Sequence, residues 1–417
     1  MLYHALVARA AELSSRALAT PPEPATWWAE LSARRRQWLD LLGLDPLPER
    51  GDLSVVTTDV LDRGHYVIEK LHFQPLPGCR IAANIYRPKT ITEPLPAVVY
   101  VCGHAASGKA WYQPHARWFG EHGYVCLILD TIEIGEQIGT HHGVYHQGWW
   151  HWFSQGYSPT AVEVWYAMRA ADLLQARDDV DPTRLGITGN SGGGSVSWYT
   201  GAADERFGVV APSCQSGTME QHVRDRTLDG HCDCTVWVNN LGWDLTDVAA
   251  LMAPRALLVA SATEDTIWRP WSNRELFYRV RRLYRALGIE ERFEVVEDAI
   301  PHGYSPKTRT AIFAWFERHL KGVEGPAEDI REEREADETL WAFPGGRPPA
   351  DDRTPDIHRF FLPLPAVGMA EVPPAERLAR LRAWTFRTIP EERGLPAHRV
   401  VPRGCFAGRA NLHLDFE

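Results

Sequence analysis

The order of apolar and polar residues changes character along the chain. Over residues 2–42, apolar side chains recur at helical spacing among arginines and glutamates, with a proline-rich break at residues 21–24. This spacing predicts two amphipathic helices. From residue 53 the pattern becomes alternating, and residues 66–73 and 81–86 predict two antiparallel strands joined through the turn at residues 75–78.

Short runs that are apolar at nearly every position follow. Such runs are typical of strands covered on both faces, as in a parallel sheet. They are separated by long segments, two of which, residues 160–176 and 311–320, have clear helical spacing. The pattern predicts an α/β fold with a mostly parallel, doubly wound sheet. The runs are residues 97–101, 125–129, 185–188, 207–211, 256–260 and 293–296.

The periodic pattern weakens beyond residue 322. Residues 324–357 are rich in Glu, Arg, Pro and Gly, which indicates a linker or an irregular surface segment. A strand, a helix and a closing strand are expected over residues 359–364, 375–388 and 399–416, respectively. We therefore predict three parts, namely an N-terminal helical segment at 1–50, an α/β catalytic domain at 51–322 and a small C-terminal extension at 323–417.

Composition narrows the classes of partner. The formal net charge of −10, without a basic stripe or tail, argues against a nucleic acid or an anionic membrane. The N-terminus lacks the pattern of a signal peptide, and no apolar run approaches the roughly 18 residues that span a bilayer. Seven scattered cysteines do not resemble a disulfide framework. We expect a cytoplasmic protein that acts on a small molecule, and its oligomeric state stays open.

A G-x-S-x-G pentapeptide at residues 189–193 is the strongest chemical signal. It lies between a β-branched run and a helical segment, the context in which a sharp turn exposes a serine nucleophile. Glycines at 189 and 193 allow the turn to pack closely against its neighbours. The alternative is a glycine-rich surface turn that carries a solvated Ser191.

A serine hydroxyl needs a base and an orienting carboxylate, and in a doubly wound hydrolase these follow later strands in the order acid, then histidine. Asp265 comes just after the run at 256–260, and His302 comes just after the run at 293–296. We predict the triad Ser191, Asp265 and His302. Glu264 is the alternative acid.

Two backbone amides are expected to hold the oxyanion. One is that of Gly192, directly after the serine, and the other comes from the loop at residues 102–109, after the run at 97–101. Within that loop we favour the amide of His104 over that of Ala105.

Residues 131–152 form an insert rich in aromatic and histidine side chains. Trp149 and Trp152 suit the stacking of a sugar ring, although tryptophans of such a loop also commonly pack it onto the body of a protein. The four histidines of the insert and residues 231–234 invite a metal interpretation, but they lack the spacing of a zinc site, so we predict no metal.

Taken together, these residues resemble α/β-hydrolases of the acetyl xylan esterase-like group, which are bacterial carbohydrate esterases related to dienelactone hydrolases. The resemblance covers about residues 38–322 and implies the α/β-hydrolase fold and ester hydrolysis. Ala105-Ala106 and the insert depart from the pattern of the group, which affects the expected substrate more than the triad. The matching segments are residues 38–44, 102–104, 108–109, 189–194, 230–234, 263–265 and 301–302.

We therefore expect a serine esterase that uses no cofactor and hydrolyses small acyl esters, preferably acetyl esters, of a carbohydrate or related polyol through an acyl-enzyme. Other acyl hydrolases on the same triad are a glucuronoyl methyl esterase, a thioesterase and a peptidase of the prolyl-oligopeptidase type. The peptidase is less expected, because the sequence shows no N-terminal segment of the size of a propeller domain. A hydrolase-like binding protein without activity and a metal-dependent hydrolase are the remaining classes.

Overall fold

A computed structural model describes residues 2–227, 237–361, 372–387, 398–406 and 408–416. The chain forms two compact units, residues 1–365 and residues 366–417. The first unit holds a nine-stranded sheet and the helices around it. The described residues of the second include a helix and a two-stranded antiparallel sheet.

The strands of the large sheet are β1 (Val56–Asp62), β2 (Tyr66–Leu76), β3 (Cys79–Pro88), β4 (Leu95–Val101), β5 (Val125–Leu129), β6 (Val180–Asn190), β7 (Phe207–Ser213), β8 (Ala256–Ala262) and β9 (Phe293–Asp298), and those of the small sheet are β10 (His398–Phe406) and β11 (Arg409–Phe416). The helices are α1 (Leu2–Arg16), α2 (Pro24–Leu42), α3 (Lys109–Glu121), α4 (Gly143–Gln147), α5 (His151–Ser154), α6 (Pro159–Gln175), α7 (Gly192–Ala203), α8 (Met219–Arg224), α9 (Leu245–Ala250), α10 (Pro270–Ala286), α11 (Pro306–Phe316), α12 (Asp337–Leu340) and α13 (Pro374–Trp384).

The large sheet runs in the order β1-β2-β3-β5-β4-β6-β7-β8-β9. Strands β1, β2, β3 and β5 pair antiparallel, and from β5 to β9 every pairing is parallel. This mostly parallel sheet confirms the predicted α/β-hydrolase fold. Because parallel strands end on the same side, the segments that follow β4, β6, β7, β8 and β9 meet at one edge of the sheet.

The centre of the sheet is buried on both faces, as the strand β5, which is apolar at every position, shows. On β5, Val125, Leu127 and Leu129 belong to one core cluster, while Cys126 and Ile128 belong to the other. This period of two is the geometry of a strand. Helices α3 and α11 contribute to the second cluster, and α2, α6, α7, α9 and α10 contribute to the first.

The N-terminal helices pack onto this unit. Trp38 of α2 is fully buried, and its Nε1 donates a hydrogen bond to the backbone oxygen of Tyr199 on α7 at 3.0 Å. Ser14 of α1 donates to Asp244 Oδ2 at 2.6 Å. The helix α2 therefore packs against α7, the helix that follows the G-x-S-x-G turn.

Residues 323–361 also lie in the first unit. Their composition indicates an irregular segment, and apart from α12 and short 3-10 turns that is their structure. Residues 359–361 do not form the strand expected at 359–364, since Arg359 ends a 3-10 turn, and residues 362–364 lie outside the described residues. They are nevertheless anchored, because the amides of Ala342 and Phe343 donate to the carboxylate of Glu136 at 2.8 and 2.6 Å. The three-part division at residues 50 and 322 stays a prediction.

Among the described residues, no helix combines the length and the apolar character that crossing a membrane requires.

Candidate active site

The turn between β6 and α7 holds Ser191 in an unusual backbone conformation. Its φ is 58° and its ψ is −120°, which lies in a region of backbone conformation that residues other than glycine avoid. Two backbone hydrogen bonds hold the turn, from the Ser191 amide to Ser213 and from the Ser195 amide to Ser191, each 2.9 Å long. The serine is thereby held at the edge of the sheet, as the predicted turn requires.

The flanking glycines are needed because the turn presses against β4. A Cβ at Gly189 would lie 2.4 Å from the backbone oxygen of Val101, and one at Gly193 would lie 2.1 Å from the same oxygen. These distances are below any real Cβ contact. Side chains at either position would push the turn away from the strand.

The structure brings the three predicted triad residues together. His302 Nε2 lies 2.8 Å from Ser191 Oγ, and His302 Nδ1 lies 2.7 Å from Asp265 Oδ2. The other oxygen of Asp265 accepts hydrogen bonds from the amides of Ile267 and Trp268, at 2.7 and 3.2 Å. Asp265 is buried, and these donors suit an ionised carboxylate that orients the imidazole.

Glu264, the alternative acid, is placed differently. Glu264 is exposed to solvent, and the carboxylate that is hydrogen-bonded to His302 is that of Asp265. The Glu264 amide donates to the backbone oxygen of Ile300 at 3.1 Å, which ties the loop after β8 to the loop after β9.

The loop after β4 lies against the serine turn. A Cβ at Gly103 would lie 2.4 Å from the backbone oxygen of Asn190, and one at Gly192 would lie 2.0 Å from Cε1 of His104. The His104 ring therefore covers Gly192. The amide of Ala105 donates to the oxygen of Gly103 at 2.9 Å, so it is used within the loop.

A buried ion cluster anchors this loop, and sequence reasoning missed it. Lys109 donates to Asp130 Oδ2 at 2.9 Å and also to Glu136, and all three side chains are almost inaccessible. Burial alone would lower the pKa of Lys109, but the charges of Asp130 and Glu136 outweigh it and raise that pKa. The lysine is therefore charged, and it joins the loop to the segment after β5.

A cavity of about 590 Å³ opens above Ser191 and His302. Trp111 of α3 lies at its wall with half of its surface exposed, and the guanidinium of Arg334 stacks 4.3 Å from the centre of the Trp111 ring. Glu332, also on the wall, lies 3.7 Å from Arg334. The polar segment around residue 332 gave no sequence signal of a role in the site.

The two tryptophans predicted to bind substrate are not among the residues that line this cavity. Trp152 is about 1% exposed and packs edge-on against Tyr157. Trp149 stacks on His358 with ring centres 4.0 Å apart. Their surroundings correspond to the packing alternative, because the insert uses both rings to attach itself to the body.

Three histidines of the insert, His141, His142 and His146, contact one another through tilted or edge-on rings next to His104. The ring centres of His104 and His141 are 4.4 Å apart, and those of His141 and His142 are 4.6 Å apart. Together with His146 and Glu133 they line a second cavity of about 410 Å³. Residues 231–234, the other segment that raised the question of a metal, lie outside the described residues.

Comparison with known proteins agrees with this geometry. Residues 61–214 match the acetyl xylan esterase (AXE1) family. YtaP of Bacillus subtilis (strain 168), which is named as a hydrolase, is 25% identical over 283 residues, or 64% of this chain and 93% of YtaP.

Solved structures add the fold. The methylesterase BT1017 matches with a TM-score of 0.66 and 19% identity, covering 89% of this chain and 80% of its own. A glucuronoyl esterase from Solibacter usitatus matches with a TM-score of 0.55 and 15% identity, covering 72% of this chain and 94% of its own. The solved structures show the α/β-hydrolase fold. The match over residues 61–214 makes the chain similar to the acetyl xylan esterases, and this similarity supports a carboxylic ester hydrolase.

Proposed function

We propose that the protein hydrolyses small acyl esters of a carbohydrate through a covalent acyl-enzyme on Ser191. The observation that carries this proposal is the continuous hydrogen-bonded line from Ser191 Oγ through His302 to Asp265, with distances of 2.8 and 2.7 Å. A hydroxyl becomes a useful nucleophile when an oriented base accepts its proton. This line supplies both the base and its orientation.

The reaction runs in two halves. Ser191 Oγ attacks the ester carbonyl while its proton passes to His302 Nε2, and His302 then gives that proton to the departing sugar hydroxyl. A water molecule repeats the attack on the acyl-enzyme, again losing its proton to His302, and the acid leaves as Ser191 recovers its proton. Asp265 stabilises the transient imidazolium throughout.

The negative oxygen that forms in each half needs fixed donors. The Gly192 amide lies in the first turn of α7, where a helix has no internal acceptor for its amides. The loop that carries His104 lies against the serine turn, with the His104 ring over Gly192, and we assign the His104 amide as the second donor. Losing one such donor typically costs about 10²–10³-fold in kcat.

The wall of the cavity supports a sugar as the alcohol. The exposed face of Trp111 offers apolar surface to the C–H face of a pyranose ring, and the neighbouring Glu332 and Arg334 offer an acceptor and donors to its hydroxyls. The family match supports acetate as the acyl group.

A second candidate is hydrolysis of a methyl ester of a uronic acid. The two arginines that line the cavity, Arg309 and Arg334, favour it because guanidinium groups bind the free carboxylates of unesterified uronic acid residues next to the methyl ester. Arg309 is already held by Asp329 through two hydrogen bonds of 2.7 Å, so Arg334 is the better candidate to meet a substrate.

The test compares products. Purified protein is offered acetylated xylo-oligosaccharides, a methyl glucuronate and an aminoacyl amide, and the release of acetate, methanol and amine is measured. We expect acetate release that the Ser191→Ala variant loses. Methanol release with no acetate would favour the second candidate, and amide hydrolysis without ester hydrolysis would contradict both.

The wall of the cavity has its own test. Trp111→Ala is expected to raise KM for the acetylated oligosaccharide by about tenfold, because roughly 1.4 kcal/mol of stacking is lost, and to leave KM for p-nitrophenyl acetate unchanged. Trp271→Ala is the matched control, since Trp271 is 45% exposed on α10 and is not among the residues that line the cavity. The cytoplasmic location remains a prediction.

A further inference from the structure

A thiol lies beside the histidine and the acid of the proposed triad. Cys214 directly follows β7, whose last residue, Ser213, accepts the amide hydrogen bond of Ser191. The side chain is buried, and its Sγ donates to the backbone oxygen of Gly303 at 3.0 Å. Because Gly303 follows His302, this contact holds the thiol against the loop that carries the imidazole.

The three side chains form a compact set of metal-binding groups. Cys214, Asp265 and His302 each offer one ligand atom, and these atoms lie within 4.8 Å of one another. Tetrahedral zinc has bonds of roughly 2.0–2.3 Å, so two of its ligands are about 3.5 Å apart. The 2.7 Å between His302 Nδ1 and Asp265 Oδ2 would have to open by about 1 Å, which a rotation of the imidazole can supply.

The chemistry of the set selects the metal. A thiolate and an imidazole bind zinc and cadmium well, whereas magnesium and calcium require several oxygen ligands. Three protein ligands leave a fourth position open to water. The cavity that contains Ser191 gives a route of entry, because His302 and Gly303 both line it.

We propose that Cys214, Asp265 and His302 form an inhibitory site for a thiophilic divalent cation such as Zn²⁺. The inference rests on the proposed function, because the metal inhibits the enzyme by binding His302, the proposed base.

Binding blocks the base by changing its tautomer. The Cys214 thiol loses its proton to the solvent and the metal–sulfur bond forms. The metal also takes the Nδ1 lone pair of His302, so the proton that Nδ1 shares with Asp265 moves to Nε2. With an N–H directed at Ser191 Oγ, the imidazole has no lone pair left to accept the serine proton. One proton is released, and no group is oxidised or reduced.

The first experiment measures ester hydrolysis in metal-free buffer with added ZnCl₂ or MgCl₂. Wild-type activity is expected to fall about tenfold when Zn²⁺ reaches about ten times its Kd, by mass action, to recover with a chelator and to be insensitive to Mg²⁺. Cys214→Ser, compared with its own metal-free activity, is expected to lose this sensitivity. Cys79→Ser is the matched control, since Cys79 is a buried, free cysteine on β3.

All variants carry Cys405→Ser, because Cys405 is an exposed free thiol that could bind metal by itself. If the Cys214→Ser variant is inhibited by zinc as strongly as the parent, the metal acts elsewhere and the proposal is wrong.

The second experiment observes the metal–sulfur bond directly. Cadmium added to the Ser191→Ala variant is expected to produce the ultraviolet absorption of a cadmium–thiolate bond with one equivalent bound, and Cys214→Ser is expected to abolish it. Persistence of that band without Cys214 would overturn the proposal. The Ser191→Ala variant also separates the two proposals, because retained ester hydrolysis would contradict the proposed function whatever cadmium does.

Discussion

Replacing Gly103 by alanine tests how tightly the loop after β4 must approach the serine turn. The added Cβ would lie 2.4 Å from the backbone oxygen of Asn190 and 2.6 Å from the hydroxyl oxygen of Tyr112, whereas ordinary contacts begin at 3.4 Å. The loop or the serine turn must therefore move by about 1 Å, because the nearest atom belongs to the backbone of Asn190 and not to a flexible side chain. A misplacement of about 1 Å can cost roughly 10²-fold in rate.

We expect kcat of Gly103→Ala to fall about 100-fold, with a much smaller change in KM, because a displaced oxyanion donor affects the transition state more than the bound ester. The assay is p-nitrophenyl acetate hydrolysis, and thermal unfolding checks that the variant is folded. Gly208→Ala on β7 is the control, since the nearest atom to its Cβ would be 3.7 Å away. A folded Gly103→Ala variant with kcat within about threefold of wild type would refute this account of the loop.

Three further predictions concern the groups around the site. Asp265→Asn keeps the shape of the acid but removes the charge that orients His302, so kcat is expected to fall by about 10⁴-fold in steady-state assays, and a loss below tenfold would contradict the orienting role. Lys109→Met leaves two buried carboxylates without their cation, which is expected to lower the free energy of unfolding by about 3–5 kcal/mol in urea titrations, and a loss under 1 kcal/mol would show that the ion cluster is not needed. Burial lowers the pKa of His115 to about 3, so the unfolded chain binds a proton that the folded chain excludes between about pH 6.5 and 3, and stability falls as the pH falls through that range. His115→Phe is expected to shrink the difference in unfolding free energy between pH 7 and pH 5 by about 2 kcal/mol, and an unchanged difference would mean that His115 is protonated in the folded state as well.

The proposed triad could be located from the sequence because each of its members directly follows an apolar strand. Once the strands are predicted to be parallel, their carboxyl ends share one edge, and Ser191, Asp265 and His302 meet there whatever the intervening segments do. The distances between the three side chains did not follow from the pattern. They depend on the register of β6, β8 and β9.

The substrate side of the site was harder to predict, because a tryptophan in an insert gives the same signal whether it packs or faces a cavity. Trp152 buries its apolar surface against the body of the protein. Trp111, which lies two residues after the buried Lys109, lines the cavity instead. The position of Arg334 on the cavity wall could not be predicted from the sequence either. Arg334 comes from a segment whose polar composition indicates only a surface, and which is anchored through backbone amides that donate to Glu136.

The nucleophile can be tested directly with a fluorophosphonate probe, followed by mass spectrometry of the digested protein. The account predicts one adduct per chain, located on the peptide that contains Ser191, with labelling lost in Ser191→Ala and greatly slowed when His302 is replaced by Ala. An active protein that is labelled at another residue, or that resists the probe altogether, would contradict the assignment of Ser191 as the nucleophile activated by His302.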